Sequence, residues 1–452
     1  MRRRMILGLP IHFLGYHQGC WRLPDVPADG MLHFQHFTEC ARIAERGKFD
    51  FLFLADSAAV RNLDDPSIPR DREHEHLRVE PLALLAALAM VTERIGLVAT
   101  ASTTYNEPYM LARGFASLDH IAAGRIGWNL VTGFSRDEAR NYGYDAVIGS
   151  DMRHERAREF VDVVNGLYDS WDDDAFPRDR TTGLYFDRSR MHFLEHRGKH
   201  FKVRGPLDVQ VPPQRHLPII TAGYSDQANE FTAQLADAVY SAAPDIGSGR
   251  TYYADVKGRM AKYGRSPEAV RVLAGIMPFV GRTRQEAQDK FERLQSLISP
   301  EVGLGMLRLH NFPDLRGHDV DEPMPEVELT RGRYDMFSDA LLERVRRDNL
   351  TIRQTYEAIA AGFWQFGKVG TAADIADAME EWFTTGAADG FNVQCPYLPG
   401  GAADFVGLVV PELQRRGLFR TEYEETTLRE RLGMAPAVSR YATPAQRGEM
   451  RA

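Results

Sequence analysis

The stretch at 124–133 combines a strand-forming core with side chains that can bind a ligand. It reads Gly-Arg-Ile-Gly-Trp-Asn-Leu-Val-Thr-Gly, and its apolar residues favour a buried β-strand. Asn129 and Thr132 come near the end of this strand, and both can form hydrogen bonds to a ligand. The flanking glycines let the backbone turn sharply or approach another group closely. The pattern fits two interpretations, a ligand-binding strand or a buried strand with an incidental asparagine.

Polar residues also follow several other apolar segments of the chain. They are mostly neutral hydrogen-bonding types: Asp56 and Ser57, Ser102 to Thr104, and Gly223 to Ser225. Such a lining suits a flat heteroaromatic ligand better than metal-assisted hydrolysis, which needs clustered histidines and carboxylates. An Asp-Ser pair after a strand is also a common turn, so Asp56 alone does not indicate catalysis. The aromatic and histidine residues after the first apolar segment are candidates for lining a pocket or for packing on the fold. They are His12, Phe13, Tyr16, His17 and Trp21.

Ser225 lies where the pattern predicts a strand, a glycine turn and the start of a helix. At a helix N-cap, free backbone N–H groups and the helix dipole favour an anion. The sequence therefore indicates either an anion site at Ser225 or an ordinary helix cap.

The elements that must position these residues alternate between apolar strands and longer helical patterns. The predicted strands are 6–13, 51–55, 95–100, 125–131, 218–222, 238–242, 272–280 and 391–395. Nearly continuous apolar strands followed by helices are typical of a parallel sheet covered on both faces. Eight such units match a closed barrel, whereas a doubly wound sheet usually has about six strands. We predict an α/β fold, a (β/α)8 TIM barrel, with the polar residues gathered at the C-terminal ends of its strands.

The chain is longer than such a barrel requires. A (β/α)8 barrel takes about 250 residues, whereas this chain has 452. We predict a single barrel domain over residues 1–452, with insertions at about 172–217 and 300–370 and a C-terminal extension at about 403–452. The second insertion is a candidate lid over the barrel mouth. The end of the extension is polar and contains prolines, so we expect it to fray or to pack on a neighbour.

Composition excludes several classes of partner. The formal net charge of −8 and the absence of a basic stripe argue against nucleic acid or an anionic membrane. The apolar run after the basic start ends at Pro10, which is too short for a signal core or a membrane span. Three widely spaced cysteines indicate neither a disulfide framework nor zinc binding. The short apolar run and the cysteine pattern together predict a cytoplasmic protein. The His- and Glu-rich tract at 71–76 lacks a third spaced ligand, so we predict a charged loop there and no metal site.

Several segments resemble the bacterial-luciferase-like flavin monooxygenases, in the same order along the chain. They are 47–56, 80–81, 100–105, 108–109, 115–120, 124–132, 138–143, 203–207, 386–391, 410–414 and 418–423. The resemblance is to the branch that contains nitrilotriacetate monooxygenase component A and dibenzothiophene-sulfone monooxygenase. It spans nearly the whole chain.

The resemblance implies a monooxygenase that takes reduced FMN from a separate NAD(P)H:FMN reductase and uses O2 to oxidise a small organic substrate, by cleaving a C–S, C–N or similar bond. It implies that Asp56, Ser102 and Asn129 lie around the isoalloxazine and ribityl chain, and that Ser225 contacts the phosphate. No Gly-x-Gly-x-x-Gly element follows a strand, in agreement with the lack of a nicotinamide site. We expect a homo-oligomer, a dimer or a tetramer, and assign no catalytic residue.

The chain departs from the family pattern at one helix. The branch usually has a histidine and, four positions later, a tyrosine ahead of an Arg-Ala-x-Glu-Phe sequence. Here Ser150 and His154 take these positions, before Arg-Ala-Arg-Glu-Phe at 156–160. Residues four apart lie on one face of a helix, and a histidine can carry positive charge near a phosphate. The resemblance therefore implies that both contact FMN; the alternative for His154 is a solvated helix residue.

Two other functions fit the same fold. One is an oxidoreductase that uses the deazaflavin F420, and the other is a flavin-binding barrel without catalysis. The matched segments and the long insertions favour the monooxygenase, and binding of FMN against F420 distinguishes the alternatives. No concentration of Arg or Lys appears at the predicted strand ends, so we favour an apolar or aromatic substrate over a polyanion.

Overall fold

Eight parallel strands close into a barrel in the computed structural model, which describes residues 3–60, 70, 79–331, 335–362 and 365–443. The barrel order is β1-β2-β3-β4-β7-β8-β9-β11, and β11 pairs back onto β1. The strands are β1 Ile6–Pro10, β2 Phe51–Leu54, β3 Gly96–Ser102, β4 Ile126–Val131, β5 His196–Arg197, β6 Lys202–Val203, β7 Ile219–Ala222, β8 Ala238–Ser241, β9 Arg271–Val280, β10 Phe366–Gly370 and β11 Gly390–Val393. The predicted (β/α)8 TIM barrel is confirmed.

Helices surround the barrel and form the insertions. In chain order they are α1 Phe34–Arg46, α2 Pro81–Ala89, α3 Pro108–Ile121, α4 Arg136–Asn141, α5 Ser150–Tyr168, α6 Asp226–Leu235, α7 Ile246–Arg259, α8 Arg284–Ser296, α9 Pro300–Leu309, α10 Asp335–Asp348, α11 Ile352–Gly362, α12 Ala372–Thr384, α13 Gly400–Asp404, α14 Val410–Arg415 and α15 Leu428–Arg431. A π-helical turn, Phe405–Val409, joins α13 to α14. Within the described residues, none of these helices is both long and apolar enough to cross a bilayer.

The alternation of side chains along β4 explains how the barrel wall presents polar groups to its interior. Trp128 points outward, where its ring packs against the rings of Phe115 and Phe160 on the surrounding helices. Gly127 points inward, because a Cβ added there would lie 3.0 Å from Val98 Cγ2 and Leu428 Cδ2 in the interior. Since successive residues of a strand face opposite sides, Asn129 also points into the barrel.

An apolar floor closes the N-terminal end of the barrel. It consists of inward-facing strand residues together with two leucines from α15 and its C-cap: Ile6, Phe51, Phe53, Val98, Ile220, Ala238, Leu273, Leu428 and Leu432. The C-terminal extension therefore packs against its own barrel through Leu428 and Leu432. Its end, which we expected to fray or to pack on a neighbour, falls on residues 444–452 and lies outside the described part. The floor leaves the opposite end of the strands for a ligand.

The two predicted insertions differ in structure. Residues 172–217 contain the short antiparallel hairpin β5–β6 and otherwise irregular backbone with one 3-10 turn. Residues 300–370 contain helices α9 to α11 and strand β10, and they carry an apolar core that includes Val302, Met306, Leu307, Phe312, Tyr356 and Ile359. A separate core gives the second insertion internal rigidity, which a mobile surface loop would lack.

Candidate active site

Asn129 carries an unpaired polar atom in the barrel interior. Its side chain is 4% exposed, and its Nδ2 donates a hydrogen bond of 2.7 Å to Thr100 Oγ1. Asn129 Oδ1 is buried and has no hydrogen-bond partner. A buried carbonyl oxygen without a donor costs about 1–3 kcal/mol. Such an atom at the ligand-accessible end of a barrel indicates a place for a ligand donor.

Ser102 and Asp56 lie at the ends of the strands beside β4. Ser102 is the last residue of β3; it is buried, and its Oγ accepts a hydrogen bond of 3.1 Å from Thr104 N. Asp56 follows β2 and is half-buried. Two residues further on, Ala58 N donates to Glu138 Oε1 at 3.2 Å, so the loop after β2 is tied to α4. The structure thus groups Asp56, Ser102 and Asn129 on the β2–β4 arc of the barrel.

A second polar group lines the interior on β8 and β11. Gln394 Nε2 donates to the Tyr240 hydroxyl at 3.0 Å, and burial raises the pKa of Tyr240, so that this phenol stays protonated. Asn392 is 1% exposed, and its Oδ1 has no hydrogen-bond partner. Gly8 on β1 makes room for it, since a Cβ at Gly8 would lie 2.4 Å from Asn392 Oδ1. Sequence reasoning missed these residues, although the polar positions 392 and 394 alternate with apolar ones and could have indicated an inward face.

His12 and Tyr16 lie in the segment that follows β1. Both side chains are buried. His12 Nε2 lies 3.3 Å from the Tyr16 hydroxyl, and His12 Nδ1 lies 3.5 Å from the backbone oxygen of Phe53 at the end of β2. Among the described residues, no group of three His, Cys, Asp or Glu side chains could hold a metal ion, and the tract at 71–76 lies outside them.

The N-termini of α5 and α6 meet beside the barrel. Ser150, the first residue of α5, donates from its Oγ to Gln227 Oε1 in the first turn of α6 at 2.6 Å. Ser225 is the N-cap of α6, as predicted, and its Oγ accepts a hydrogen bond of 3.1 Å from Ala228 N. Asp226 in the same turn pairs with Arg259 at 2.7 Å, which balances its charge. Two helix N-termini side by side present several backbone N–H groups to an anion.

His154 is not a solvated helix residue. Its side chain is 9% exposed, and its ring contacts the Phe231 ring edge-on with 5.5 Å between centroids. His154 Nδ1 lies 2.9 Å from the Ser150 backbone oxygen, which can only accept, so Nδ1 carries the hydrogen. Burial lowers the pKa of His154, and the Ser150 carbonyl only partly offsets this. The structure therefore brings Ser150, His154 and Ser225 together but indicates a neutral imidazole, whereas the sequence suggested a charged one.

The second insertion reaches the turn that precedes α6. Phe337 on α10 contacts the ring of Tyr224, next to Ser225, edge-on with 6.0 Å between centroids. In another aromatic pair, the rings of Tyr105 and Tyr142 stack with centroids 4.7 Å apart, which joins the loop after β3 to the residue after α4. These contacts place aromatic side chains around the C-terminal end of the barrel.

The family of the chain follows from this fold together with its sequence. A family model described as luciferase-like monooxygenase matches residues 11–389. The chain belongs to this family. It is 46% identical over 450 residues to nitrilotriacetate monooxygenase component A of Aminobacter aminovorans, covering 98% of this chain and 99% of that protein. It is 36% identical over 426 residues to dibenzothiophene-sulfone monooxygenase of Rhodococcus erythropolis, covering 92% and 93%.

A solved structure extends these likenesses to a flavin-bound protein. The crystal structure of a riboflavin lyase with modified FMN and riboflavin superposes with a TM-score of 0.82 and 28% identity, covering 99% of this chain and 100% of that one. The predicted family and branch are confirmed, and the chain is a monooxygenase of this family. The polar groups described above fit a flavin nucleotide. They combine an unpaired buried acceptor in the barrel, Asn129 Oδ1, with two adjacent helix N-termini that suit a phosphate.

Proposed function

We propose that this protein is the oxygenase component of a two-component monooxygenase. It receives reduced FMN from a separate NAD(P)H:FMN reductase and uses O2 to oxidise a small organic substrate. The observation that carries the proposal is the meeting of the α5 and α6 N-termini at Ser150 and Gln227, beside a barrel that contains an unpaired acceptor at Asn129. The helix N-termini offer a place for a phosphate, and the barrel interior offers a place for a ring system. A site of this kind fits a flavin nucleotide better than a ligand without an anionic group.

In this proposal six residues hold the cofactor: Asp56, Ser102, Asn129, Ser150, His154 and Ser225. The first three take the isoalloxazine and ribityl chain, and the last three take the phosphate. Bound reduced flavin supplies the electrons and the reaction with O2. The chain orients the ring and excludes water, and the contact of Phe337 with Tyr224 supports the second insertion as the cover.

The substrate faces the remaining arc of the barrel, formed by β8, β9, β11 and β1. The side chains identified on this arc are Tyr240, Asn392 and Gln394, all neutral, with His12 and Tyr16 above β1. An aminopolycarboxylate would need cations to compensate its carboxylates. We therefore propose an apolar or aromatic substrate, and an oxidative cleavage at a C–S, C–N or similar bond.

The electron supply tests this proposal directly. Purified protein with NADH and FMN should oxidise NADH no faster than a mixture without the protein, since the chain shows no dinucleotide-binding motif. An unrelated flavin reductase should restore NADH oxidation, and the protein should bind anaerobically reduced FMN under the same conditions. NADH oxidation by the protein alone would contradict the two-component assignment. Tighter binding of reduced F420 than of reduced FMN would favour the deazaflavin enzyme instead.

A further inference from the structure

Two glycines leave room for amide side chains in the barrel interior, beside β11. Gly8 on β1 and Gly275 on β9 are both paired in register with Asn392 on β11. A Cβ at Gly8 would lie 2.4 Å from Asn392 Oδ1, and a Cβ at Gly275 would lie 2.8 Å from the side chain of Gln365. The barrel wall thus lacks side chains on both sides of Asn392, and amide groups occupy the space.

The Tyr240 phenol lies in the same interior and can be reached from the open end of the barrel. Tyr240 follows Ala238 of the apolar floor by two positions, so both side chains face inward. Ala222, two positions after Ile220 of the floor, also faces inward, is paired in register with Tyr240 and is exposed. Tyr240 itself is half-buried. A ligand in the barrel can therefore contact this phenol.

The pair formed by Tyr240 and Gln394 leaves one donor and one acceptor for a ligand. Gln394 Nε2 donates to the Tyr240 hydroxyl oxygen at 3.0 Å, so the phenolic hydrogen is not used in this bond. Gln394 Oε1 is buried and has no hydrogen-bond partner. If the amide is turned over, Tyr240 donates to Oε1, and the NH2 group and a phenol lone pair are left instead. Either orientation leaves one donor and one acceptor on separate atoms.

A neutral amide group has the complementary donor and acceptor. Its carbonyl oxygen accepts, its N–H group donates, and both belong to one planar group. A carboxylate can only accept, and the neutral Tyr240–Gln394 pair offers no cation to balance its charge. An alkane or a sulfone has no donor, so the buried Gln394 Oε1 would stay unpaired at a cost in free energy. An amide therefore satisfies the pair where these other groups do not.

We propose that Tyr240 and Gln394 form a recognition site for an amide group of the substrate, in which the phenol binds the carbonyl oxygen and Gln394 Oε1 binds the N–H group. This inference rests on the proposed function and narrows its substrate class. The substrate is then an otherwise apolar molecule that carries a primary or secondary amide or a lactam. The site lies on β8 and next to β11, away from the flavin contacts proposed on β2 to β4.

The test uses three probes of similar shape, benzamide, acetophenone and benzoate, on full-length protein with and without saturating FMN. Acetophenone keeps the ring and the carbonyl oxygen of benzamide but carries CH3 in place of NH2. Ligand-observed NMR titrations give the dissociation constants. Wild-type protein should bind benzamide about tenfold more tightly than acetophenone, because only benzamide donates to Gln394 Oε1. Benzoate should bind more weakly than benzamide, because its charge is not balanced.

Two variants separate the two contacts of the amide. Gln394→Leu removes the acceptor at similar volume and should raise the benzamide constant about tenfold, that for acetophenone less than about threefold. Tyr240→Phe removes the donor to the carbonyl oxygen and should weaken both probes by a similar factor. If the Gln394 amide is turned over, the two variants exchange these effects, which also supports the site. Gln285→Leu, at an exposed glutamine on α8, is the control and should change neither constant.

Equal affinity of the wild-type protein for benzamide and acetophenone would overturn the inference, since Gln394 Oε1 would then serve at most an internal water. A large loss of FMN affinity in both Gln394→Leu and Tyr240→Phe would place the flavin at this pair; it would overturn the inference and leave the proposed function standing. Absence of FMN binding to the wild-type protein would overturn the proposed function, whereas the ratio of the two probe constants in FMN-free protein would still decide the amide site.

Discussion

Replacing Arg420 with methionine should lower the free energy of unfolding by about 3–5 kcal/mol, because the variant leaves the Asp50 carboxylate buried without its cation. The Asp50 side chain is fully buried just before β2, and Arg420 Nη2 lies 2.8 Å from its Oδ1. Leu7 N donates to Asp50 Oδ2 at 2.7 Å. Methionine matches much of the arginine stem, so the change removes mainly the charge. Denaturant unfolding at neutral pH measures the loss.

The pH dependence of that loss identifies its cause. Burial raises the pKa of Asp50, while Arg420, the Leu7 amide and Arg431 oppose the rise. Without Arg420 the folded-state pKa rises further above the unfolded value of about 3.9. When the pKa of a carboxyl is higher in the folded protein than in the unfolded one, folding is penalised at every pH above the unfolded-state pKa. This penalty grows with pH until the pH passes the folded-state pKa. The deficit of Arg420→Met should therefore shrink as the pH falls from 7 toward about 4.

Two further variants control this experiment. Arg284 pairs with Asp374 at 2.6 Å but is largely exposed, so Arg284→Met should destabilise the fold much less than Arg420→Met. The double variant Asp50→Asn, Arg420→Met should recover part of the loss, because the buried carboxylate that Arg420 contacts is then replaced by a neutral amide. An equal cost for Arg284→Met and Arg420→Met, independent of pH, would contradict a buried ion pair as the cause.

The same cluster explains why the C-terminal extension could not be predicted from its own sequence. Arg420 and Arg431 look like ordinary surface charges in a polar tail. Arg420 binds the side chain of Asp50, and Arg431 binds its backbone oxygen, although Asp50 lies more than 350 residues earlier. These two contacts hold Leu428 in the barrel floor. Such pairing over a long sequence separation has no local pattern. The eight barrel strands, by contrast, are continuous apolar runs and could be predicted one by one.

Strand β10 and the β11 side of the pocket were missed for physical reasons. Residues 366–370 read Phe-Gly-Lys-Val-Gly, too short and glycine-rich to indicate a strand, and β10 forms only by pairing with the second half of β9. Asn392 and Gln394 lie within a predicted strand, but which of its faces points inward depends on the pairing with β1 and β9. Ser225 could be predicted as an N-cap because capping depends only on adjacent residues.

The arrangement of the cofactor-binding candidates predicts that His154→Ala weakens binding of FMN more than binding of riboflavin, which lacks the phosphate. Ser150 and Ser225 mark the two helix N-termini, and His154 lies one turn into α5. Once His154 is protonated, a charge-assisted hydrogen bond to a phosphate contributes about 1.5–3 kcal/mol, so at about pH 6 the FMN dissociation constant should rise at least about tenfold. Titration of the oxidised flavins by fluorescence measures both constants. His33→Ala, at an exposed histidine before α1, is the control and should change neither constant.

The pH dependence of this difference follows from the state of the His154 ring. Its Nδ1–H is used on Ser150, so Nε2 can donate to a phosphate only after it takes up a proton. Burial, Arg153 and Arg158 lower the pKa of His154, whereas the Ser150 carbonyl and Asp151 raise it. A bound dianion raises it further, so FMN binding takes up a proton and the wild-type advantage over His154→Ala should grow as the pH falls from about 8 to about 6.

Ser150→His restores the residue that the branch usually has and should leave FMN affinity equal or improved, because it adds a donor at the same helix N-terminus. It also breaks the hydrogen bond from Ser150 to Gln227, which sets a limit on the gain. Equal losses for FMN and riboflavin in His154→Ala would place this histidine away from the phosphate. The meeting of the two helix N-termini would then serve packing alone, since the phosphate is the only part of FMN that two such termini could recognise by charge.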